Sequence, residues 1–357
     1  MLFWDDIRGH DRVKEVLGRS VIQGRTHHAL LMAGPQGVGK RALSLALAAT
    51  MYCTDRKNVE PFEAACGKCV SCHKMSQSIH PDLIVVEPEG KKRKNIKIGH
   101  IREVQRKTST SPYEAPQHIV LLDDAHLMTE EASNALLKTL EEPGQHLRLI
   151  LVTDSTHLLL DTILSRCQLV RFGALEASDV QGILRGLVAA SDSIEGPVSD
   201  ELLHTATGFG EGSPGVGFHA LSSGMLHERE GLLRQLLELR PDAPLNTLQL
   251  AEKLAKQNPL LAEQFDILQA FMRDVMLYKI NPSDTDRLIN RDLIASIKRL
   301  AEVMSVEDAL YVIDLVRVAR QRYQHYVNPQ LILEDLFEHI SHYTSASSHR
   351  PVLQGRP

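Results

Sequence analysis

A glycine-rich octapeptide near the start of the chain could bind a phosphate group. Residues 34–41 read GPQGVGKR and match the phosphate-loop pattern G-x-x-x-x-G-K-[ST] at every position but the last. Gly34, Gly37 and Gly39 would let backbone N–H groups wrap a phosphate, and Lys40 would reach its terminal oxygens. An apolar strand pattern precedes the loop and a helix pattern follows it. This order favours a phosphate site over a simple strand-to-helix turn.

The residues expected to bind magnesium and to activate water depart from the usual pattern. Arg41 stands where a hydroxyl should face Mg²⁺, and a guanidinium has no lone pair to offer a metal. The later run LLDD places Asp123 at the metal carboxylate position and Asp124 where an ATPase usually has Glu. Misplacing a catalytic group by about 1 Å can cost about 100-fold in rate. We predict a degenerate nucleotide site and leave open whether it still binds ATP and magnesium.

Four of the five cysteines form a second chemical cluster. Cys53 is followed by CGKCVSC, which supplies Cys66, Cys69 and Cys72 in two overlapping C-x-x-C steps. In a reducing compartment four thiolates make the closed tetrahedral set of a structural zinc site, with no open position for catalysis. A redox-active C-x-x-C pair and an iron–sulfur cluster are weaker alternatives.

We also make individual predictions for five residues near these two motifs. We expect His73 and His80 to be solvated loop side chains rather than metal ligands, and Cys167 to be a free thiol. Thr153 or Asp154, at the end of the run LRLILVTD, is expected at the position that senses a γ-phosphate. A polar residue that merely ends a strand is an equally good interpretation there.

The elements that must position these residues alternate between two hydrophobic patterns. Continuous apolar runs typical of buried strands occupy residues 28–34, 81–88, 118–125 and 147–154, and residues 40–52 show a helical pattern. Apolar strands between amphipathic helices predict an α/β domain with a parallel sheet covered by helices on both faces.

The rest of the chain is predicted to be helical. Strand signals fade after residue 172, and apolar residues recur every three or four positions over 260–280 and 305–327. Residues 1–172 are predicted to form an α/β domain with a Cys₄ zinc module at 53–72. Residues 173–230 are predicted to form a small helical lid domain, and residues 231–345 an all-α collar or oligomerisation domain. Residues 346–357 are predicted to be a flexible tail.

Composition excludes several classes of protein. A net charge of −5 argues against a free-standing, strongly basic nucleic-acid binder, and 4% aromatic residues argue against a stacking platform for single strands. The first residues show no signal-peptide pattern, and no apolar run is long enough to span a membrane. We expect a cytoplasmic protein. The basic run at 91–97 is interpreted as a solvated loop in preference to a DNA-contacting patch.

Four motifs in one order carry a family resemblance. HALLMAGPQGVGK, CGKCVSC, LLDDAHLMTEEASNALLKTLEEP and TILSRCQLVRF together resemble the clamp-loader subunits of bacterial DNA polymerase III, a branch of the AAA+ superfamily. The resemblance covers roughly residues 1–225 and resumes at VNPQLILEDLF, which is similar to the end of the helical collar. It implies an AAA+ P-loop domain, a lid and a collar through which subunits assemble.

Within this family the resemblance favours the delta-prime type over the ATP-hydrolysing motor type. The motor type carries Ser or Thr after the phosphate-loop lysine, Glu after the metal-binding Asp, and Arg in a GSxR-like segment. Arg41, Asp124 and Gly215 stand at these three positions here. The alternatives are an active ATPase that tolerates Arg41 and, less favoured, a nucleic-acid binder built on the zinc module.

The resemblance also implies a role for the SRC motif at residues 165–167. In the family its arginine, here Arg166, is an arginine finger presented to the nucleotide of a neighbouring subunit. The implied protein is not an ATPase by itself but part of a DNA-directed DNA polymerase (nucleotidyltransferase) holoenzyme. Its implied partners are motor subunits, a clamp-binding subunit, the sliding clamp and primed DNA, with no membrane. The plain alternative for Arg166 is a solvated arginine at a strand end.

Overall fold

A computed structural model describes residues 3–59, 62–90, 94–194, 196–256, 261–324 and 327–344. The chain divides into two compact units. The first contains residues 1–183 and 212–215, and the second contains 184–211 and 216–357. The predicted boundaries at residues 172, 230 and 345 stay a prediction, and the predicted tail lies outside the described residues.

Five parallel strands and one small hairpin form the sheets of the first unit. The strands are β1 (Ala29–Ala33), β2 (Lys57–Val59), β3 (Phe62–Ala64), β4 (Leu83–Val86), β5 (His118–Leu122), β6 (Leu147–Thr153) and β7 (Gln168–Arg171). The order in the main sheet is β4-β5-β6-β1-β7, and every neighbouring pair is parallel. Strands β2 and β3 pair antiparallel outside this sheet.

Seven helices accompany these strands. They are α1 (Asp11–Ile22), α2 (Lys40–Tyr52), α3 (Val70–Ser76), α4 (Ile98–Thr108), α5 (Glu130–Glu141), α6 (Asp161–Leu164) and α7 (Ala177–Ala189), of which α7 continues into the second unit. Because side chains alternate along a strand, β1 sends Leu30 and Met32 into the cluster around α1 and α2. Ala29 and Leu31 enter the opposite cluster around α4 and α5. The predicted parallel sheet with helices on both faces is confirmed.

A buried polar network joins the cysteine-bearing segment to the sheet. His80 is 4% exposed, stacks on the Tyr52 ring and bonds Ser71 Oγ through Nε2 at 3.0 Å. The expectation that His80 is a solvated loop residue is therefore wrong. No local pattern signals this burial, because the partners of the ring, Tyr52 and Ser71, come from two helices. The Asp82 carboxylate accepts three backbone N–H groups of the loop at residues 113–115, at 2.7–2.9 Å.

The second unit is helical throughout its described part. Its helices are α8 (Asp200–Gly210), α9 (Pro214–Ser222, whose first two residues belong to the first unit), α10 (Met225–Leu237), α11 (Pro244–Lys256), α12 (Leu261–Ile280), α13 (Ile294–Val303), α14 (Val306–Gln324) and α15 (Pro329–Thr344). Helix α12 packs along α14, and α15 packs on α11. The Asp274 carboxylate is buried and accepts the N–H groups of Ile289 and Asn290. None of the described helices is both long and apolar enough to cross a bilayer.

Candidate functional site

The phosphate loop connects β1 to α2 and folds as its glycines require. Gly37 and Gly39 have φ angles of +72° and +107°, which L side chains rarely adopt. Lys40 begins α2 and is 6% exposed. Its ammonium donates to the carbonyl oxygens of Gly34 and Pro35 at 2.8 and 2.7 Å. The loop's own backbone therefore satisfies the cation that would bind a terminal phosphate.

Burial and neighbouring charges both shift the pKa values of the titratable groups at this edge. Burial lowers the pKa of Lys40, and the carboxylates of Asp154, Asp124 and Asp123 oppose that shift. Burial raises the pKa of Asp124, and the like charge of Asp123 raises it further. The carboxyl ends of β5 and β6 thus bring three acids towards one lysine.

Arg41 fills the space between two carboxylates at the ends of neighbouring strands. Its NH1 donates to Asp123 Oδ2 at 2.8 Å, and its NH2 forms an ion pair with Glu87, just after β4. Asp123 follows β5, and its other oxygen accepts the Asp124 N–H. These carboxylates raise the pKa of Arg41 against the effect of burial. Sequence reasoning did not find Glu87, because only the pairing of β4 with β5 brings it beside Asp123.

A cavity of about 510 Å³ lies along this edge. Its charged lining residues are Lys40, Arg41, Asp123, Asp124 and Asp154, so carboxylates outnumber cations. Leu45 and Ser78 also line the cavity.

Thr153 and Asp154, the two candidates for the γ-phosphate sensor, differ in burial and in their position relative to the cavity. Thr153 is fully buried, and its hydroxyl is 3.3 Å from His126 Nδ1. Asp154 lines the cavity and lies 3.4 Å from His126 Nε2. Both therefore lie beside the predicted nucleotide residues, but only Asp154 lines the cavity.

Gly215 lies directly against the phosphate loop. Its N–H donates to the Gly37 carbonyl at 2.9 Å. A Cβ added at Gly215 would lie 2.7 Å from Gly37 Cα. On the other side of the loop His10 Nε2 is 2.9 Å from the Val38 carbonyl oxygen. The sequence analysis missed the His10 contact, which no local pattern signals.

Arg166 lies just before β7, at the amino edge of the sheet, where the parallel strands begin. The phosphate loop lies at the carboxyl edge, where they end. Its NH2 pairs with Glu141 at 2.7 Å, and its NH1 donates to the Thr162 carbonyl at 3.0 Å. About a third of the side chain is exposed. Cys167 is a free thiol without a neighbouring metal ligand among the described residues, and burial raises its pKa to about 11. The structure therefore separates Arg166 from the phosphate loop by the length of a strand.

The four clustered cysteines converge as the spacing predicts. The Sγ atoms of Cys53, Cys66, Cys69 and Cys72 all lie within 4.8 Å of one another. With Zn–S bonds of about 2.3 Å, a tetrahedral zinc site needs Sγ atoms about 3.8 Å apart. The pairs Cys53–Cys69 and Cys66–Cys72 are 3.9 and 4.0 Å apart. The donor set therefore fits one tetrahedral metal ion.

Backbone N–H groups point at these sulfurs. The N–H of Cys66 donates to Cys53 Sγ, and that of Cys72 donates to Cys69 Sγ, at 3.3 and 3.4 Å. Burial works against ionisation of Cys69, but hydrogen bonds from Cys72 and Thr54 outweigh it and lower its pKa to about 6. Burial raises the pKa of the Cys53 and Cys72 thiols. A bound cation would favour all four thiolates.

The sheet order, the phosphate loop after β1 and the acid pair after β5 define the first unit as an AAA+ P-loop domain, with a helical C-terminal region after it. Two family models match the chain. DNA polymerase III, delta subunit, matches residues 9–176. DNA polymerase III, delta subunit, C terminal, matches residues 223–342.

Similar proteins agree with these matches. DNA polymerase III subunit delta' of Bacillus subtilis is 30% identical over 339 residues, which cover 91% of this chain and 94% of that protein. The Haemophilus influenzae delta' subunit is 29% identical over 299 residues, 84% of this chain and 85% of its own. A gamma subunit-related protein of Thermotoga maritima, a solved structure, superposes with a TM-score of 0.45 at 17% identity, covering 94% of this chain and all of that one. The chain belongs to the DNA polymerase III delta-prime subunit family, which confirms the resemblance of its motifs.

Proposed function

We propose that this chain is a clamp-loader subunit whose own nucleotide site no longer hydrolyses ATP. The observation that carries the proposal is the double ion pair of Arg41 with Asp123 and Glu87. In a hydrolysing P-loop protein this space belongs to Mg²⁺, held by a hydroxyl and a carboxylate. A guanidinium here already neutralises the carboxylate and cannot bind a metal.

The charge of the cavity supports the same proposal. Two cations and three carboxylates line it, so it carries a net negative charge when all five groups are ionised. A triphosphate would add further negative charge in a partly buried space, where Coulomb repulsion is several-fold stronger than in bulk water. Without a divalent cation to offset it, nucleotide binding at this edge is weak.

We further propose that Arg166 acts in trans as an arginine finger. A guanidinium that approaches a neighbour's nucleotide stabilises the charge that spreads over the γ-phosphate in the transition state, an effect of about 10³–10⁵ in rate. Arg166 is partly exposed and is held by Glu141, an exchangeable partner. The subunit would thereby complete the ATP site of a tau- or gamma-type motor subunit without hydrolysing ATP itself.

The partners follow from the relatives. Tau subunits of Bacillus subtilis and Escherichia coli and a gamma subunit of Buchnera aphidicola are also similar to this chain. We infer a hetero-oligomer with such motor subunits and a clamp-binding subunit, which loads a sliding clamp onto primed DNA in the cytoplasm as part of the polymerase III holoenzyme.

We assign the cysteine site to structural zinc. Four thiolates leave no open coordination position, which favours a structural role over a catalytic one. Metal analysis of the purified chain should find about one zinc per chain. Cys69→Ser should lower the zinc content and the stability together. An intact fold that holds no metal would contradict the assignment.

Reconstitution with motor subunits tests the proposed function. The isolated chain should show negligible ATP turnover, whereas Arg166→Ala should lower the turnover of the complex and leave assembly intact. Arg171→Ala, at the opposite end of β7, is the matched control. Turnover by the isolated chain comparable to that of a motor subunit would support the active-ATPase alternative. Unchanged turnover in the Arg166→Ala complex would remove the finger role.

A further inference from the structure

Arg148, the second residue of β6, has no acidic partner among the residues that the structure describes. Its guanidinium makes one hydrogen bond within the described chain, from NH1 to the Leu147 carbonyl at 3.2 Å. Its Nε is buried and has no acceptor. Burial lowers its pKa, and no neighbouring carboxylate opposes that shift. Arginines that leave water are normally paired, so an unpaired one suggests an anion that arrives from outside the chain.

The register of the sheet places Arg148 on the same edge as Arg166. Strand β1 lies between β6 and β7. Leu149 is opposite Ala29, which puts Arg148 beside His28. Gln168 is opposite Leu30, so Arg166 comes just before β7 at the same level. Strands are spaced by about 4.8 Å, so the two arginine backbones stand about 10 Å apart across His28.

His28 independently ties this edge to the surroundings of Arg166. Its ring lies near the backbone of Leu140, and the next residue, Glu141, is the ion partner of Arg166. Its Nε2 is buried without a hydrogen-bond partner among the described residues. Burial and the charges of His27 and Arg148 lower the pKa of His28. Among the described residues this edge therefore holds the charge of Arg148, which no acid pairs, beside the charge of Arg166, which Glu141 pairs.

We propose that Arg148 is a second phosphate-binding cation at the edge that carries Arg166, and that both arginines contact the phosphates of the nucleoside triphosphate held by the neighbouring subunit. The inference rests on the proposed function, because it requires Arg166 to face that nucleotide. Arg166 must leave Glu141 to bind a phosphate, whereas Arg148 has no acid to leave. Arg148 therefore supplies binding, and Arg166 responds to charge that develops during hydrolysis.

A triphosphate suits this edge better than a DNA backbone does. Its three linked phosphates concentrate several negative charges within the span of two arginine side chains, whereas each DNA phosphodiester carries one charge. Arg148 is also partly buried, so a compact group that enters an interface suits it better than a duplex that lies on a surface.

Steady-state ATP turnover of the reconstituted complex, with and without primed DNA, tests the proposal. Arg148→Met should raise the KM for ATP at the shared site by about tenfold, as expected for loss of one charge-assisted contact. Arg148→Lys should recover part of the effect because it keeps the charge. Arg171→Met, at the far end of β7, should leave KM unchanged. Thermal unfolding and gel filtration establish that each variant is folded and assembled.

The outcomes separate this inference from the function on which it rests. If Arg166→Ala has no effect, the finger proposal fails. If Arg166→Ala lowers turnover while Arg148→Met changes neither KM nor kcat, only the role of Arg148 is overturned. An Arg148→Met effect restricted to DNA-stimulated turnover would instead assign Arg148 to DNA and overturn the nucleotide contact.

The isolated chain provides a second readout without turnover. Pyrophosphate should raise the thermal midpoint of the wild-type chain more than that of Arg148→Met, because only the wild type has the free cation at this edge. An equal shift in both proteins would contradict an anion site at Arg148.

Discussion

The cations at the two edges of one parallel sheet, where its strands end and where they begin, differ in how they are paired within the chain. At the carboxyl edge, Arg41 pairs with two carboxylates, and Lys40 donates to two carbonyl oxygens. At the amino edge, Arg148 has no acidic partner in the described part of the chain, and Arg166 has one that is half exposed. Both edges belong to the same rigid element, so the difference lies in side chains rather than in fold.

The contrast indicates where a ligand can bind. A cation that is fully paired within its own chain gains little from an added anion, since it must first give up its partners. An unpaired cation that is partly buried costs stability until an anion arrives. In this chain the cations beside the phosphate loop are paired internally, whereas Arg148 at the opposite edge has no acidic partner among the described residues.

The largest expected effect is on nucleotide affinity and comes from removing one acid of the carboxyl edge. Asp123→Asn should strengthen binding of ADP to the isolated chain by on the order of tenfold, because one negative charge beside the phosphates is lost in a partly buried site. Titration with a fluorescent ADP analogue, in EDTA and in Mg²⁺, measures the change.

Asp314→Asn is the control for this experiment, because it removes an acid of the same type from an exposed ion pair of the other unit. Affinity for ADP that stays the same or falls in Asp123→Asn would show that charge does not keep this cavity closed to nucleotide.

A smaller pair of effects should have opposite signs. Arg41→Met should lower the free energy of unfolding by about 1 kcal/mol, because Asp123, 15% exposed, loses its cation. Arg148→Met should raise it by about 0.5 kcal/mol, because an unpaired guanidinium is replaced by an apolar chain of similar length. Urea unfolding of the isolated variants measures both. If both variants change the free energy of unfolding in the same direction, the proposed difference between the two edges is contradicted.

The smallest effect concerns pH. Because the folded pKa of His28 lies below its usual value, the unfolded chain takes up this proton first as the pH falls. Its contribution to stability is therefore complete above the unfolded pKa of about 6.5 and is lost as the pH falls from there towards the folded value. His28→Asn should reduce the loss of stability between pH 7 and 5.5 by a few tenths of a kcal/mol.

His80 has a lowered pKa for the same main reason, burial, so some pH dependence should remain in His28→Asn. His73→Asn, at an exposed position, serves as the control. Phosphate buffer should weaken the pH dependence of the wild type if the anion binds at this edge. A slope identical in wild type and His28→Asn would place the pH dependence elsewhere.

Local patterns predicted the frame of the fold well. The helix predicted at 40–52 is α2, and the four predicted strands are β1, β4, β5 and β6 within a few residues at each end. These elements follow from the period of their apolar residues, which depends on neighbours along the chain. The small hairpin β2–β3 beside the cysteines was not predicted, since strands of three residues carry almost no periodic signal.

What the sequence did not predict is pairing between elements. Glu87 meets Arg41 only because β4 lies next to β5, and Arg148 meets His28 only because β6 lies next to β1. The isolation of Arg148 is harder still to foresee, because it depends on which residues do not reach it. Motif spacing identified the cysteine set and the phosphate loop, both of which are local.

The contact between Gly215 and Gly37 limits which side chains residue 215 can carry. A side chain at position 215 would put its Cβ 2.7 Å from Gly37 Cα and 3.0 Å from its carbonyl oxygen. An arginine at this position, as the resemblance implies for motor subunits, would therefore require the phosphate loop to move away first. The close backbone contact thus acts as a steric filter that admits only glycine at residue 215 while the phosphate loop keeps this conformation.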